Sequence, residues 1–159
     1  MRYIMKKIIE KSSVISILIG GVSGIIYLAL PAAKITTNNP YIPGKAEYIF
    51  KGSQIAFGDL NFGIPICLLA FIGTMLLLTA LILSSVQTIS NKRSIILATA
   101  IIFVLSGIIM MFSPFSFQFN NKFETSSMHI GSILGGLFML LGSALNFINW
   151  KATKVEKTA

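Results

Sequence analysis

Long apolar runs separated by shorter polar segments dominate the chain. Four runs contain no Asp, Glu, Lys, Arg or His, and each approaches the roughly 20 residues that a membrane-spanning helix needs. These runs cover residues 14–30, 62–83, 95–112 and 130–148. We therefore predict an all-α membrane protein, a bundle of four transmembrane helices that forms one membrane domain over residues 1–159. The remaining segments are a first outer loop at 31–61, an inner loop at 84–94, a second outer loop at 113–129 and a tail at 149–159.

The positions of the Lys and Arg residues predict the orientation, because cytoplasmic segments of membrane proteins carry an excess of them. The two tails and the inner loop together hold nine cations against two carboxylates, whereas the two outer loops hold four against three. We therefore expect a multi-pass protein of the cell membrane with both termini in the cytoplasm. Trp150 lies at the inner interface, where aromatic anchors are common. A cleaved signal peptide at residues 14–30 stays open as an alternative.

The overall composition favours lipid as the solvent of this chain. Hydrophobic residues make up 54% and charged residues 11%, where soluble domains have about 25% charged residues. The net charge of +8 comes from cations clustered beside the predicted spans. Such clusters attract anionic lipid headgroups, so the lipid bilayer is an expected partner. We expect no nucleic-acid binding, because no folded basic module with aromatic platforms is present.

The first outer loop carries β-prone runs at 46–51 and 54–57, which flank Gly52 and Ser53. This pattern predicts a small extracytoplasmic β-hairpin. In the second outer loop, alternation with polar residues predicts an extended segment with three Phe rings on one face. These rings could form an interfacial aromatic belt, a third strand covering the hairpin, or a binding surface for another protein. The candidates for interaction in the two outer loops are Tyr48, Phe50, Phe57, Phe115, Phe117 and Phe119.

Small residues recur in two of the predicted helices at spacings that allow close backbone approach. Gly20 and Gly24 form a GxxxG pair in the first helix, and Gly131, Gly135 and Gly142 form a stripe in the fourth. We expect these five glycines to mediate helix packing. The contact could be intramolecular, or it could join the chain to a second copy or to a larger membrane protein.

The residues that usually support chemistry in membrane proteins are scarce. No predicted span has the carboxylate that ion-coupled transport usually needs. Cys67 is the only cysteine, which suits a small buried hydrophobe, and His129 with Glu124 offers too few ligands for a zinc site. We therefore predict no enzyme, no cofactor and no metal.

Two functions follow from this scarcity of reactive groups. The first is a non-enzymatic membrane protein that acts by interaction, as an accessory or assembly subunit or as an envelope protein. The alternative is a homo-oligomeric channel or small-solute exporter without an intramembrane carboxylate, lined by hydroxyls such as those of Thr74, Ser106 and Ser132.

Two resemblances accompany these predictions. The pattern from Leu30-Pro31-Ala32 through a polar loop to Gly52-Ser53-Gln54-Ile55-Ala56-Phe57-Gly58 resembles small uncharacterised four-helix membrane proteins of low-GC Gram-positive bacteria and mollicutes. That resemblance implies a membrane location and no particular activity. The layout of four helices with a long β-prone first outer loop is similar to claudin-like tetraspan proteins. Their loop signature of one Trp and two Cys is absent from this loop, so this second resemblance implies the architecture alone.

Overall fold

The computed structural model describes residues 11–38, 45–60, 63–90, 92–121 and 125–155. Five helices and three strands follow one another in these ranges. The helices are α1 (Ser12–Ala29), α2 (Gly52–Phe57), α3 (Leu68–Ile89), α4 (Arg93–Asn121) and α5 (Ile130–Val155), and the strands are β1 (Pro31–Asn38), β2 (Lys45–Lys51) and β3 (Thr125–Met128). Helices α1, α3, α4 and α5 are long and apolar enough to span a membrane. The prediction of four such helices is therefore confirmed.

The four long helices form a bundle in which each helix contacts two neighbours. Helix α4 packs between α3 and α5, and α1 closes the ring by packing against α5 and α3. The chain crosses the bundle in alternating directions, so α1 and α4 start at one end and α3 and α5 start at the other. Three strands and α2 lie at the end where α1 finishes. We call β1, β2, β3 and α2 the cap, and the opposite end the far end.

Large aliphatic side chains cover the outside of the bundle, and many of its buried positions are Ser, Thr, Gly or Ala. On α1 the exposed side chains include Val14, Leu18, Val22 and Ile25, spaced three or four residues apart. The buried face of the same helix consists mainly of Ser and Gly, with Tyr27 as its large member. Helices α3, α4 and α5 likewise expose large aliphatic side chains at helical spacing. A water-soluble bundle has the opposite arrangement, with its apolar stripe turned inward.

Helix α4 is longer than predicted and continues through residues 113–121. The predicted extended segment with three rings on one face is therefore wrong, because residues two apart lie on different faces of a helix. Pro114 lies inside α4 and cannot donate the hydrogen bond that the carbonyl of Met110 would receive in a regular helix. The hydroxyl of Ser113 donates to that carbonyl instead, over 2.9 Å. The Met110 carbonyl therefore keeps a hydrogen-bond donor although the helix continues past proline.

The predicted hairpin is also placed differently along the chain. The run at 45–51 is a strand, as predicted, but residues 52–57 form α2. The side-chain oxygen of Gln54 accepts a hydrogen bond from the backbone N–H of Lys51 over 2.9 Å, which stabilises the start of α2. Strand β2 pairs instead with β1, which comes before it in the sequence. The two strands of the hairpin are therefore Pro31–Asn38 and Lys45–Lys51, and both lie before the predicted turn at Gly52 and Ser53.

A third strand completes the sheet, whose order is β2-β1-β3 with antiparallel pairing throughout. The central strand β1 follows α1 directly, after the extended residue Leu30. Its partner β3 comes from the connection between α4 and α5, where Ile35 lies opposite Ser126. A three-stranded arrangement was one of the interpretations of this connection, although its strand is Thr125–Met128 and not the Phe-rich segment.

Helix α3 begins at Leu68 and ends at Ile89, six residues later at each end than the predicted span. Before α3, Asp59 and Ile64 exchange backbone hydrogen bonds of 3.0 and 2.9 Å. The neighbouring Gly58 and Gly63 have φ angles of 75° and 63°, which residues with side chains rarely adopt. The later end places Ser84 and Gln87 inside the bundle, where the sequence predicted a loop.

Candidate functional site

The junction of α1 and β1 holds the cap onto the bundle. A Cβ atom at Gly131 would lie 2.7 Å from the carbonyl oxygen of Pro31, and a Cβ atom at Gly52 would collide with the carbonyl group of Tyr27. The carbonyl of Ala32 accepts two hydrogen bonds, from the N–H of His129 at 3.0 Å and from the hydroxyl of Ser132 at 2.9 Å. Because the backbones are in direct contact here, the sheet has a fixed position relative to the helices.

The inner face of the sheet packs on the last turns of α4. The rings of Phe50 and Phe117 meet edge to face with their centroids 5.3 Å apart, and Phe117 is fully buried. The ring of Tyr48 stacks beside Phe50 at 6.4 Å. The hydroxyl of Ser126 donates to the carbonyl of Pro114 over 2.9 Å. Aromatic packing and strand pairing therefore join the two loops that the sequence analysis considered separately.

Strand β2 is one of the two edge strands of the sheet, and it pairs with β1 on one side. Tyr48 is 45% exposed and its neighbour Ile49 is 56% exposed. An edge strand carries backbone N–H and C=O groups that can pair with another chain. This strand is therefore the part of the cap best suited to binding.

The six aromatic candidates of the outer loops differ in environment. Tyr48, Phe57 and Phe115 are exposed, and Phe50 is half-buried. Phe57 contacts Phe71 of α3 with a centroid distance of 6.2 Å, and Phe115 contacts Phe112 within α4 at the same distance. Phe119 lies in α4, and its side chain is outside the described residues. The structure thus brings Tyr48, Phe50 and Phe117 together.

All five candidate glycines lie at helix contacts within the chain. A Cβ atom at Gly20 would approach Leu81 and Phe103, and one at Gly24 would approach Leu77. A Cβ atom at Gly135 would lie 3.0 Å from the Cβ of Tyr27, across the α1–α5 contact. The other two candidates are Gly131, already described beside Pro31, and Gly142, next to Ile19 and Phe103. These positions give the glycines an intramolecular packing role.

The hydroxyls considered for a pore lining are bonded to backbone carbonyls. Ser106 donates to the carbonyl of Gly73 over 2.9 Å, which joins α4 to α3. Thr74 donates to the carbonyl of Ala70 in its own helix over 2.8 Å, and Ser132 donates to Ala32. These side chains therefore stabilise helices and helix contacts. Each hydroxyl hydrogen is already donated to a backbone carbonyl.

Sequence reasoning missed part of a buried polar cluster at the far end. In this cluster Asn146 donates to Ser16 Oγ over 2.9 Å, and Asn149 donates to Ser12 Oγ over 2.6 Å. The sequence did not point to Ser84 and Gln87, which are 0% and 3% exposed. Their spacing of three continues the buried face of α3 through Ala80, a signal hidden by the assumption that the helix ended at residue 83.

Metal-binding and thiol chemistry have few candidates in the described part of the chain. No group of three or more His, Cys, Asp or Glu residues that could hold a metal ion occurs among those residues. Cys67 is buried, with its Sγ 3.9 Å from the carbonyl oxygen of Ser113. His129 lies between β3 and α5, whereas Glu124 is outside the described residues.

No protein-family model and no curated protein matches this chain.

Proposed function

We propose that this chain is a multi-pass protein of the cell membrane that acts by binding another protein through its cap. The exposed surfaces of α1, α3, α4 and α5 support insertion, because large aliphatic side chains cover them at helical spacing. Burying such side chains in lipid is favourable by about 25 cal/mol per Å² of apolar surface. The buried hydroxyls of Ser23, Ser106 and Ser143 donate to backbone carbonyls of neighbouring helices, which suits helices surrounded by hydrocarbon.

The proposed orientation has both termini in the cytoplasm and the cap outside. Its support is the excess of cations in the tails and in residues 84–94. Arg93 and Trp150 mark the far end, where the guanidinium carbon lies 4.5 Å from the centroid of the indole ring. An amphipathic aromatic side chain next to a cation is typical of the membrane interface.

The observation that carries the proposed binding function is the exposure of Tyr48 and Ile49 on an edge strand. Strand β2 is held in place by pairing with β1, and the sheet is held against α4. Its free edge is therefore a fixed surface on which another strand could pair. An extended segment of a partner protein can add to such an edge through main-chain hydrogen bonds, with side chains such as Tyr48 supplying specificity. The partner's chemistry follows: an extended, partly apolar segment of another membrane or envelope protein. No catalytic step is involved.

Site-specific photo-crosslinking in living cells tests this proposal. A benzoylphenylalanine residue at position 49 on β2 should give an adduct of one discrete mass with a larger protein. The matched control carries the same residue at position 127, on the outer face of the opposite edge strand β3, where Ser127 is also exposed. Equal adducts from both positions would contradict a β2-specific site. Adducts of twice the chain's mass would favour the homo-oligomer of the alternative function.

Cysteine labelling tests the orientation separately. In a background with Cys67→Ala, Ser127→Cys should react with a membrane-impermeant maleimide added to intact cells. Lys157→Cys should react only after the membrane is opened. The reverse pattern would place the cap in the cytoplasm and overturn the proposed sidedness.

A further inference from the structure

Buried polar side chains lie inside the bundle near the far end, about one helical turn from the ring of Phe103. Phe103 of α4 would touch Cβ atoms placed at Gly20 of α1 and at Gly142 of α5, so its ring lies in the centre of the bundle. Leu81 of α3 reaches the same level, since it also approaches Gly20. Phe103 and Leu81 therefore form an apolar layer across the interior.

The next layer toward the far end is polar on every helix. One helical turn from the Phe103 layer, a distance of about 5–6 Å, the four helices contribute Ser16, Ser84, Thr99 and Asn146, each 0% exposed. In the next turn α4 contributes the apolar Ile96, whereas the other three helices contribute Ser12, Gln87 and Asn149, each 3% exposed. We call the seven polar residues of these two layers the polar cluster.

Several atoms of the polar cluster lack a hydrogen-bond partner. They are Ser84 Oγ, both side-chain polar atoms of Gln87, Asn146 Oδ1 and Asn149 Oδ1. These atoms come from α3 and from α5, which face each other across the bundle. Leaving a buried polar atom unpaired is costly, and such groups in proteins are normally satisfied by protein atoms, water or a ligand. Water or a ligand would satisfy these five unpaired atoms, which lie in two adjacent layers.

The chemistry of the free atoms defines the occupant. The amide oxygens of Gln87, Asn146 and Asn149 accept hydrogen bonds, the Gln87 nitrogen donates, and the Ser84 hydroxyl does both. The described parts of the four long helices contain no carboxylate that would compensate a cation, and the guanidinium of Arg93 adds positive charge at the same end. Three unpaired amide oxygens disfavour an anion. A neutral molecule that both donates and accepts fits this set.

We propose that the polar cluster is a binding site for a small neutral hydrogen-bonding molecule, filled by water in its absence, which is entered from the far end and closed by Phe103. The site is independent of the proposed function of the cap, because the apolar layer separates the two.

Thiol accessibility of the full-length protein in membranes tests the site. In a background with Cys67→Ala, Ser84→Cys should react with the small neutral reagent methyl methanethiosulfonate at least tenfold faster than Thr74→Cys. Thr74 is the matched control because it is also buried on the inner face of α3, but beyond the Leu81 layer. Acetamide at high concentration should slow the reaction at Ser84→Cys, whereas NaCl or KCl should not.

Each other outcome overturns the proposal. Equally slow reaction at both positions would mean a dry, closed cluster, and protection by Na⁺ or K⁺ without protection by acetamide would mean a cation site. A second measurement serves if Ser84→Cys fails to fold. Gln87→Met, which is close in size, should lower the melting temperature of the purified protein, because an occupied site loses its hydrogen bonds. A raised melting temperature would show an unpaired dry amide and contradict an occupant.

Discussion

The hydroxyl of Tyr27 on α1 lies 2.9 Å from the Oγ of Ser113 on α4. Because Ser113 uses its single hydrogen for the carbonyl of Met110, Tyr27 is the donor in this pair. The result is a relay of two hydrogen bonds that ends on the carbonyl left without its helical partner by Pro114. A side chain from a different helix thus supports the passage of α4 through proline.

This relay predicts a graded response to two substitutions. Tyr27→Phe removes one hydrogen bond and should lower the free energy of unfolding by about 0.5–1.5 kcal/mol. Ser113→Ala also leaves the Met110 carbonyl unpaired and should cost about 1–3 kcal/mol. Denaturation of the purified protein in mild detergent, followed by circular dichroism, measures both values. A smaller loss for Ser113→Ala than for Tyr27→Phe would contradict the relay.

Gly52 is expected to tolerate no side chain, because the carbonyl of Tyr27 occupies the space that a Cβ atom needs. Gly52→Ala should destabilise the protein by about 1–3 kcal/mol or more, the usual cost of overpacking. Gly21→Ala is the control, since no atom lies within 4 Å of its Cβ position, and it should be neutral or stabilising. Thermal unfolding in detergent compares the two. Equal melting temperatures would mean that the α1–β1 junction can shift apart.

The α1–α5 contact should depend on the absence of a side chain at Gly135. Gly135→Leu would drive a branched side chain into Tyr27 and the carbonyl of Ser23, which a Cβ atom alone approaches to 3.0 and 3.4 Å. We expect loss of the monodisperse folded species in size-exclusion chromatography. Gly21→Leu on the open side of α1 should keep its elution volume. An unchanged profile for Gly135→Leu would show that α5 packs elsewhere.

The contact between Asn146 and Ser16 should contribute to stability as an interhelical hydrogen bond. A double-mutant cycle of Asn146→Ala and Ser16→Ala should give a coupling energy of about 0.6 kcal/mol, the average measured for such bonds in a membrane protein, and at most about 1.7 kcal/mol. Pairing Asn146→Ala with Ser23→Ala is the control, because Ser23 donates to the carbonyl of Gly135 instead, and these effects should add. Zero coupling in the first cycle would contradict the hydrogen bond.

The ion pair on the cap is expected to matter little. Lys34 Nζ lies 2.9 Å from a Glu47 carboxylate oxygen, and the two side chains are 39% and 58% exposed. Glu47→Gln should therefore reduce stability by less than about 1 kcal/mol. The loss should shrink in high salt, where exposed pairs are screened. Melting temperatures at low and high NaCl measure it, and a large salt-independent loss would mean that Glu47 has another role.

The apolar pattern predicts the four long helices because their length and freedom from charge follow directly from the solvent they need. Residues 115–119 show the limit of such patterns. Alternation of Phe with polar residues is typical of a strand, but burial of Phe117 under Phe50 and the hydroxyl of Ser113 stabilise a helix there. The first contact joins residues 67 positions apart, and the second joins residues three positions apart. The longer one depends on tertiary structure that local sequence does not contain.

The candidate sites also differ in whether local sequence could predict them. The glycine stripe of α5 could be identified because small residues at spacing four have one common use in membrane helices. The cluster around Ser84 and Gln87 could not, since it depends on where α3 ends and on which side chains the other helices contribute at the same level. Strand β3 has only four residues and is defined by its pairing with β1, so its own sequence carries a weak signal.

The direct passage from α1 into β1 has a mechanical consequence. Leu30 is the one residue between them, and Ala32 is fastened to both His129 and Ser132 at the start of α5. A load applied to the sheet is therefore transmitted to two helix ends without a compliant linker to absorb it. A change in the tilt of α1 would therefore change the orientation of β1 by the same movement.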